Sequence, residues 1–557
     1  MKSFYNSLKN KLLSNHINSY NFTLESSNNI CNTEITNAVE PKSISIELNK
    51  NLDFMKYKYN TLINNDVVIR EFLIHVNNCK YHAFIIFIDG MADSISINSY
   101  ILKPLMLHNN TISKKIIKKA KTINNLSPKY KQSYLENAIL NNLIPQNSVK
   151  KFCKYSDVLS AINMGDCVLF VDSLKVAFDI DVKGFKQRNI DTPNNEVIVR
   201  GSQEAFVENI RTNTSILRRL INNENLVFET VQVGKITKTQ VVIGYLKNIA
   251  NTDLVSEVSY RINNLDVDYL ISSGQLEQLI QDSPKSLFSQ IIATERPDKA
   301  TNYVLEGRVV ILVNGSPYAL VAPGIFTDFL TSPEDLNLKF QFANLEKIVR
   351  FLATILSVLL PGIYIAITGF HQELIPTELL FTIAAARELV PFPTFVDILL
   401  MEISFELIRE AGLRVPSPLG ATIGIVGTLI LGEAAVSASL VSPILIIVVA
   451  ITAICSYSIP DFSLSFTFRL CRFAYMFLGY IAGFLGIGIG IFIQLIFMCN
   501  LKSFGVQYLT PFSLGKNKRS ISSYLVNPMW KREHTSYFLH AQKAYSQRKI
   551  SMTWRKK

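Results

Sequence analysis

The residues able to do chemistry do not assemble into an enzyme's set. The chain contains no GxxxxGK(S/T) phosphate loop, no HExxH zinc helix, no GxSxG nucleophile turn and no kinase signature. Its seven histidines (His16, His75, His82, His108, His371, His534 and His540) are scattered. Its seven cysteines (Cys31, Cys79, Cys153, Cys167, Cys455, Cys471 and Cys499) form no CxxC pair and no cluster with histidine. That spread offers no metal ligand set, and the odd count favours a reducing compartment over a disulfide framework. No enzymatic activity, cofactor or metal is expected.

The residue that stands out is an acid. Glu433 is the single charge between residues 416 and 460. An ionisable group inside an apolar span costs several kcal/mol unless it is paired, protonated or facing water. Ser437 and Ser439 follow it, so Glu433, Ser437 and Ser439 read either as a polar-lined path for ions or small solutes or as a hydrogen bond that fixes helix packing. Around them Gly420, Gly424, Thr428 and Gly432 recur every four residues, and Gly479 and Gly483 make a further GxxxG step. Small residues at that spacing let helices approach closely, within one chain or between copies. Gly486, Gly488 and Gly490 lie inside an uncharged run without a strand–turn–helix setting, so they too read as packing rather than as a nucleotide loop.

Two polar motifs lie earlier in the chain. Arg200-Gly201-Ser202-Gln203-Glu204-Ala205-Phe206 leads toward an amphipathic stretch that includes Arg211 and Asn213. Glu295-Arg296-Pro297-Asp298 follows a threonine. Each reads as a loop or helix cap held by charge-assisted hydrogen bonds, with anion binding by backbone N–H groups as the sharper alternative for the first.

Two very different halves must position these groups. Apolar residues make up 48% of the 557 and charged residues only 18%, below the quarter usual for soluble proteins, and mean hydropathy is +0.21. The deficit sits between 345 and 500; residues 1–340 read as ordinary water-soluble chain. Residues 1–65 are expected to be a disordered Asn/Ser-rich leader. Short β-rich runs at 84–88, 168–171, 176–180, 241–245 and 309–313 alternate with amphipathic segments, one of them starting near Phe206, and Asn314-Gly315 turns the last run into a hairpin. This predicts an α/β or α+β cytosolic domain of two lobes, 66–190 and 191–340.

An α-helical polytopic membrane domain is expected over 345–502. The uncharged run 351–370 can cross a hydrocarbon core of about 30 Å, with Pro361-Gly362 expected to kink it. Residues 416–460 would make a helix on the order of 65 Å, so two crossings at 419–440 and 444–460 fit better, turning near Ser442-Pro443. A fourth crossing covers 473–500. The charged stretch 375–415 reads as interfacial or re-entrant amphipathic helices, with four to six spans the range. Four crossings put both chain ends in the cytosol and make Arg469 and Arg472 face outward, against the positive-inside rule.

Charge is as uneven as hydropathy. The net +12 comes almost wholly from residues 516–557, which hold eleven Lys/Arg against Glu533 alone. That basic cytosolic tail (503–557) is the pattern of a juxtamembrane segment on anionic lipid rather than of a nucleic-acid binder. The first residues lack an apolar core, so no cleavable signal peptide is expected.

The motifs, taken in order, are similar to a known family. The 200–206 loop, Arg211-Thr212-Asn213-Thr214, the 294–298 loop, Pro391-Phe392-Pro393, Gly412-Leu413-Arg414-Val415-Pro416 and Leu431-Gly432-Glu433-Ala434-Ala435-Val436 resemble the A subunit of the GerA-type spore germination receptors over residues 66–500. Ser202 and Ala205 depart from the proline and glycine common there. The resemblance implies a non-enzymatic subunit in the spore inner membrane. Its implied partners are a transporter-like B subunit, thought to bind the nutrient, and a C subunit that is a lipoprotein, within a homo-oligomer whose helices form an ion path. Two other readings compete: an accessory spore membrane protein of the same type without its own nutrient partner, and a secondary transporter, for which four spans without an inverted repeat are few.

Overall fold

The computed structural model describes residues 22–24, 43–76, 79–106, 128–184, 193, 195–414, 430–510, 512, 525–528, 530 and 536–543. The first lobe is built on two ten-residue strands, β1 (Val67–Val76) and β2 (Cys79–Ile88), paired antiparallel from Val67–Ile88 to Val76–Cys79. β3 (Val149–Phe152), β4 (Cys167–Val171) and β5 (Ala177–Ile180) complete an antiparallel sheet of order β1-β2-β4-β5-β3. Alternate side chains point to opposite faces, and here both faces are covered. Phe72, Ile74, Ala83, Ile85 and Leu169 enter one core, whereas Phe84, Ile86, Val168 and Phe170 enter the other. This is why Cys167-Val168-Leu169-Phe170-Val171 reads as an unbroken apolar run rather than an alternating one.

The second core corrects the expectation for 1–65. Helix α1 (Leu48–Tyr59) lies inside the predicted leader, and it buries Leu48, Leu52, Met55 and Tyr59 against the sheet. Four apolar residues at 48, 52, 55 and 59 follow helical spacing; the Asn and Lys between them only lower the average. Helix α2 (Tyr155–Asn163) covers the same face.

The second lobe repeats the first. Helix α3 (Ile210–Leu220), β6 (Leu226–Val233), β7 (Thr239–Leu246), α4 (Thr252–Asn263), α5 (Ser273–Ile280), β8 (Ile292–Thr294), α6 (Pro297–Leu305), β9 (Val309–Val313) and β10 (Ala319–Ala322) follow in order. The sheet order β6-β7-β9-β10-β8 is the same as in the first lobe, again antiparallel. The turns agree too: α2 ends at Gly165 (φ 95°) and α6 at Gly307 (φ 99°), each just before the central strand. Left-handed backbone at a helix C-terminus suits glycine. The expected Asn314-Gly315 hairpin forms between β9 and β10. Helix α3 begins at Ile210 rather than near Phe206, because the Asn209 side chain caps the N–H groups of Arg211 and Thr212. Phe206 instead enters the core in extended chain, its N–H donating to Glu295 O at 2.7 Å.

Between residues 340 and 500 the described chain is mainly helical: α7 (Phe340–Phe370), α8 (Thr377–Arg387), α9 (Thr394–Arg414), α10 (Pro443–Tyr457) and α11 (Phe462–Asn500). Among the described residues, α7 and α11 are long and apolar enough to cross a membrane by length and composition. The 351–370 run lies within α7, which continues through Pro361. The 444–460 run corresponds to α10, capped by Ser442 as the Ser442-Pro443 turn suggested. The 419–440 run is only partly described, as short helical turns over 430–437. Gly420, Gly424 and Thr428 lie outside the described residues.

Two expectations change. The 473–500 run is not one straight crossing. At Gly483 (φ 57°, ψ −137°) the helix direction breaks, and the chain folds back on itself. Gly486 lies so close to the Leu478 carbonyl that a Cβ there would sit 2.2 Å from it, and Tyr475 Oη donates to Gln494 Oε1 at 2.5 Å. Helix α11 is therefore a hairpin of arms 462–482 and 484–500 with a glycine seam. Its first arm runs parallel to α7, since Arg472 meets Ser357, Gly479 meets Gly362 and Gly483 meets Phe370. Both ends of the hairpin return to the second lobe, so Arg469 and Arg472 lie in the lobe-side half and not at the far face.

The second change concerns 375–415. Helix α9 does not lie flat at an edge. Glu402 meets Arg472 and Glu406 meets Arg469, so α9 runs antiparallel to the first hairpin arm along the length of the bundle. Glu402 and Glu406 suggested an interface because they were read without the arginines that meet them.

Candidate functional site

The two sequence motifs meet in one place. Arg296, fully buried, donates from Nη1 to Glu196 O at 3.1 Å and from Nη2 to Ser202 O at 2.6 Å. Its other bonds go to Asp298 Oδ1 (3.1 Å) and Oδ2 (2.8 Å). Glu295 Oε1 accepts from the N–H groups of Asn195 (2.6 Å) and Glu196 (2.8 Å). Glu196 in turn accepts from Thr294 Oγ1 and from Lys299 Nζ, the latter at 2.7 Å. Pro297 opens α6, where a missing N–H is harmless. Thus the 294–299 segment clamps the 195–203 loop through charge-assisted bonds.

The remaining motif residues extend the clamp. Gly201 fits because a Cβ there would lie 2.3 Å from Ile198 Cδ1. Arg200 N donates to Glu334 Oε1 (3.3 Å), and Asn337 Nδ2 donates to Arg200 O (3.3 Å), which ties the loop to the approach of α7. Glu204 pairs with Arg219. Asn213 is buried and closes a reciprocal pair with the Val207 backbone at 2.9 and 2.6 Å. Arg211 reaches Asp89 of the first lobe at 3.1 Å. Beside it Arg218 binds Asp66 (2.5 Å, Nε) and Asn64 (3.3 Å). Helix α3 therefore joins the lobes, and a cavity of about 290 Å³ lined by Asp89, Asp93, Asn209, Arg211 and Ser215 lies between them.

From the clamp the polar network reaches the helices. Burial alone would depress the Lys299 ammonium, but Glu196, with smaller help from Tyr303 and Asp461, outweighs it and holds the group above its ordinary value. Asp461 caps the first arm of α11, accepting from Leu464 N at 2.9 Å. One turn on, Thr467 Oγ1 donates to Leu287 O at 2.5 Å. Phe468 packs against Phe288 (6.0 Å) and Phe326 (6.4 Å), and Tyr508, fully buried, closes the cluster from the returning end. Phe326 N donates to Tyr508 O (2.9 Å), and Gly324 N to Ser503 Oγ (3.1 Å). Both feet of the hairpin are thus set in the core of the second lobe.

Inside the bundle the same arm carries two ion pairs. Arg472 Nη1 bonds Glu402 Oε2 at 2.5 Å, with both side chains 1% exposed, and Arg472 Nε donates to Ser357 O at 2.8 Å. Arg469 Nη1 bonds Glu406 Oε2 at 2.8 Å. Sequence reading missed these acids as site residues. Their signal was the i, i+4 spacing of Glu402 and Glu406 opposite the i, i+3 spacing of Arg469 and Arg472 on another apolar helix. Gly479 packs backbone to backbone on Gly362, where a Cβ would lie 2.7 Å from the carbonyl, so that glycine serves contact within the chain. Gly483 packs at the hairpin tip against Phe370 and His371.

The structure does not bring Glu433 into this network. Glu433 lies in a short helical turn over Ile430–Ala434, its side chain exposed in the single chain. Ser437 Oγ turns back to Glu433 O at 2.5 Å. Ser439 adopts left-handed backbone (φ 54°) in the break before α10. Among the described residues, nothing lies within 4 Å of where a Cβ on Gly432 would stand.

The sequence model of the Bacillus/Clostridium GerA spore germination protein family matches residues 53–537. Spore germination protein KA of Bacillus subtilis (strain 168) is 35% identical over 493 residues, covering 88% of this chain and 87% of that protein. Spore germination protein GerLA of Bacillus cereus is 34% identical over 453 residues, covering 81% and 87%. Among solved structures, the N-terminal domain of the A subunit of the Bacillus megaterium spore germinant receptor GerK3 matches 51% of this chain and 97% of that one, at 32% identity and TM-score 0.37. With its family match over residues 53–537 and relatives of this identity and coverage, the chain of two α/β lobes and a helical domain is a member of the Bacillus/Clostridium GerA spore germination protein family.

Proposed function

We propose that this chain is the A subunit of a nutrient germinant receptor and acts without enzymatic chemistry. In this reading it lies in the spore inner membrane with its lobes and basic tail in the cytosol. It works with a transporter-like B subunit and a lipoprotein C subunit, and it converts nutrient sensing into ion release. Several copies assemble so that Glu433, Ser437 and Ser439 face an ion path rather than lipid. The observation that carries the reading is that the first arm of the hairpin is set in the second lobe, with Asp461 facing Lys299 of the clamp and Phe468 packed on Phe288, one turn before the Arg472–Glu402 pair, which gives a movement of the lobe a route to the hairpin. An exposed acid in an otherwise uncharged run supports the path, since contact with lipid would cost it several kcal/mol.

The test uses spores that carry Glu433→Gln, with the subunit quantified by immunoblot. Potassium release after nutrient addition is expected to slow at unchanged subunit level, and release at the wild-type rate would remove Glu433 from the mechanism. Purification of the subunit through a tag is expected to recover the B and C subunits, and recovery of neither would refute the complex.

A further inference from the structure

Among the further acids of helix α9 is Asp397, which nothing in the motif network uses. Asp397 is 1% exposed, and neither carboxylate oxygen makes a well-formed hydrogen bond, although the Ser442 backbone N–H is turned toward them. It lies in the first turn of α9, toward the end of the bundle far from the lobes, five residues before Glu402. Beside it on α7 is the buried hydroxyl of Tyr364, which faces Ser442 without closing a well-formed hydrogen bond. The third neighbour is Ser442, 1% exposed, at the foot of α10, where the chain breaks between two helices. The cation facing the group is Arg387 of α8, which exerts electrostatic pull but forms no ion pair with it, and whose Nε is itself unpartnered. Hydrophobic side chains (Ile398, Met401, Val441, Leu445) close the remaining sides.

A buried carboxylate whose two oxygens lack well-formed hydrogen bonds is costly, and a bound water or ion is one explanation that native proteins give for such a group. The oxygens available are two from Asp397, one phenol and one serine hydroxyl. A single negative charge with neutral oxygen donors from a broken helix matches a monovalent cation; a divalent ion would need more carboxylates. We propose that Asp397, Tyr364 and Ser442 form a binding site for an alkali cation, K⁺ or Na⁺, inside the helical domain. The site is distinct from Glu433, and its occupancy does not depend on whether ions cross the membrane.

The test is thermal unfolding of the purified full-length chain in detergent. N-methyl-D-glucamine chloride is exchanged for KCl or NaCl at constant ionic strength, at pH 7.5 and at pH 5.5. The melting temperature is expected to rise with K⁺ or Na⁺ and to saturate, since a ligand of the folded state alone stabilises it. Asp397→Asn is expected to abolish the rise, and Tyr364→Phe, which keeps the packing, to move the half-saturating concentration up several-fold. Arg387→Gln is expected to move it down by removing a competing charge. A wild-type melting temperature indifferent to both salts overturns the proposal, as does a rise that persists in Asp397→Asn. Should Asp397→Asn not fold, an unchanged half-saturation in Tyr364→Phe overturns it. Stabilisation that follows pH and not alkali ion would assign the site to a proton and overturn it equally.

Discussion

Removing one member of the Glu402–Arg472 pair should destabilise the chain far more than removing both. Each side chain is 1% exposed, the bond is 2.5 Å, and Arg472 also supports Ser357 O at 2.8 Å. Arg472→Met strands the Glu402 carboxylate, which already has one unpartnered oxygen, and Glu402→Leu strands the guanidinium. An uncompensated buried charge costs about 3–5 kcal/mol, whereas an apolar pair of similar volume is often neutral or stabilising by about 1–4 kcal/mol. A 3 kcal/mol loss lowers the folded-to-unfolded ratio about a hundredfold. Reversible denaturation by SDS in mixed micelles, followed by intrinsic fluorescence, measures all four corners of the cycle. The expected result is two damaged single variants and a double variant (Glu402→Leu with Arg472→Met) close to wild type or more stable. A double variant as unstable as either single, or singles within about 1 kcal/mol of wild type, would refute the reasoning, since it would mean that the pair is wet or absent. In spores, a stable double variant with normal nutrient response would confine the pair to folding.

Three further outcomes follow from other parts of the molecule. Arg296→Met should free the 195–203 loop from the 294–298 segment at a cost of about 3 kcal/mol or more; hydrogen exchange at Phe206 N–H, which donates to Glu295 O, should accelerate, and unchanged protection would mean that the clamp is not the restraint. Gly483→Ala places a Cβ on left-handed backbone and 3.0 Å from the His371 ring, costing about 1–2 kcal/mol; equal stability in the SDS titration would argue that the hairpin does not reverse there. Burial, with Asp166 adding to it, pushes the Asp179 carboxyl up to about 6, above the ordinary aspartate value of about 3.9. The folded state therefore holds that proton more tightly, so the stability Asp179 contributes is present below pH 4 and is lost as pH rises through 6. With solvent screening taken into account, Asp179→Asn should flatten that slope and raise stability at neutral pH by about 1–2 kcal/mol, and a wild-type slope in the variant would reject the assignment.

The division into a water-soluble α/β part and a helical part was written in local composition. Burial of apolar surface needs only the right residue types at the right period, so the β4, β7 and β9 runs, the Asn314-Gly315 hairpin and the Ser442-Pro443 helix start could all be read from the chain. The motif loops were legible as well, because buried arginine and glutamate need partners of known chemistry. Folding supplied what depends on proximity between distant residues. The shared strand order of the lobes rests on pairings that no local pattern encodes. Helix α1 was hidden by its polar surroundings, and the reversal at Gly483 by an apolar run that looks the same whether it crosses or turns back. Above all, Glu402 and Glu406 read as surface charges until Arg469 and Arg472, more than sixty positions later, came to rest against them. A charge's meaning is set by what neutralises it, and over such separations only the tertiary structure specifies that neighbour.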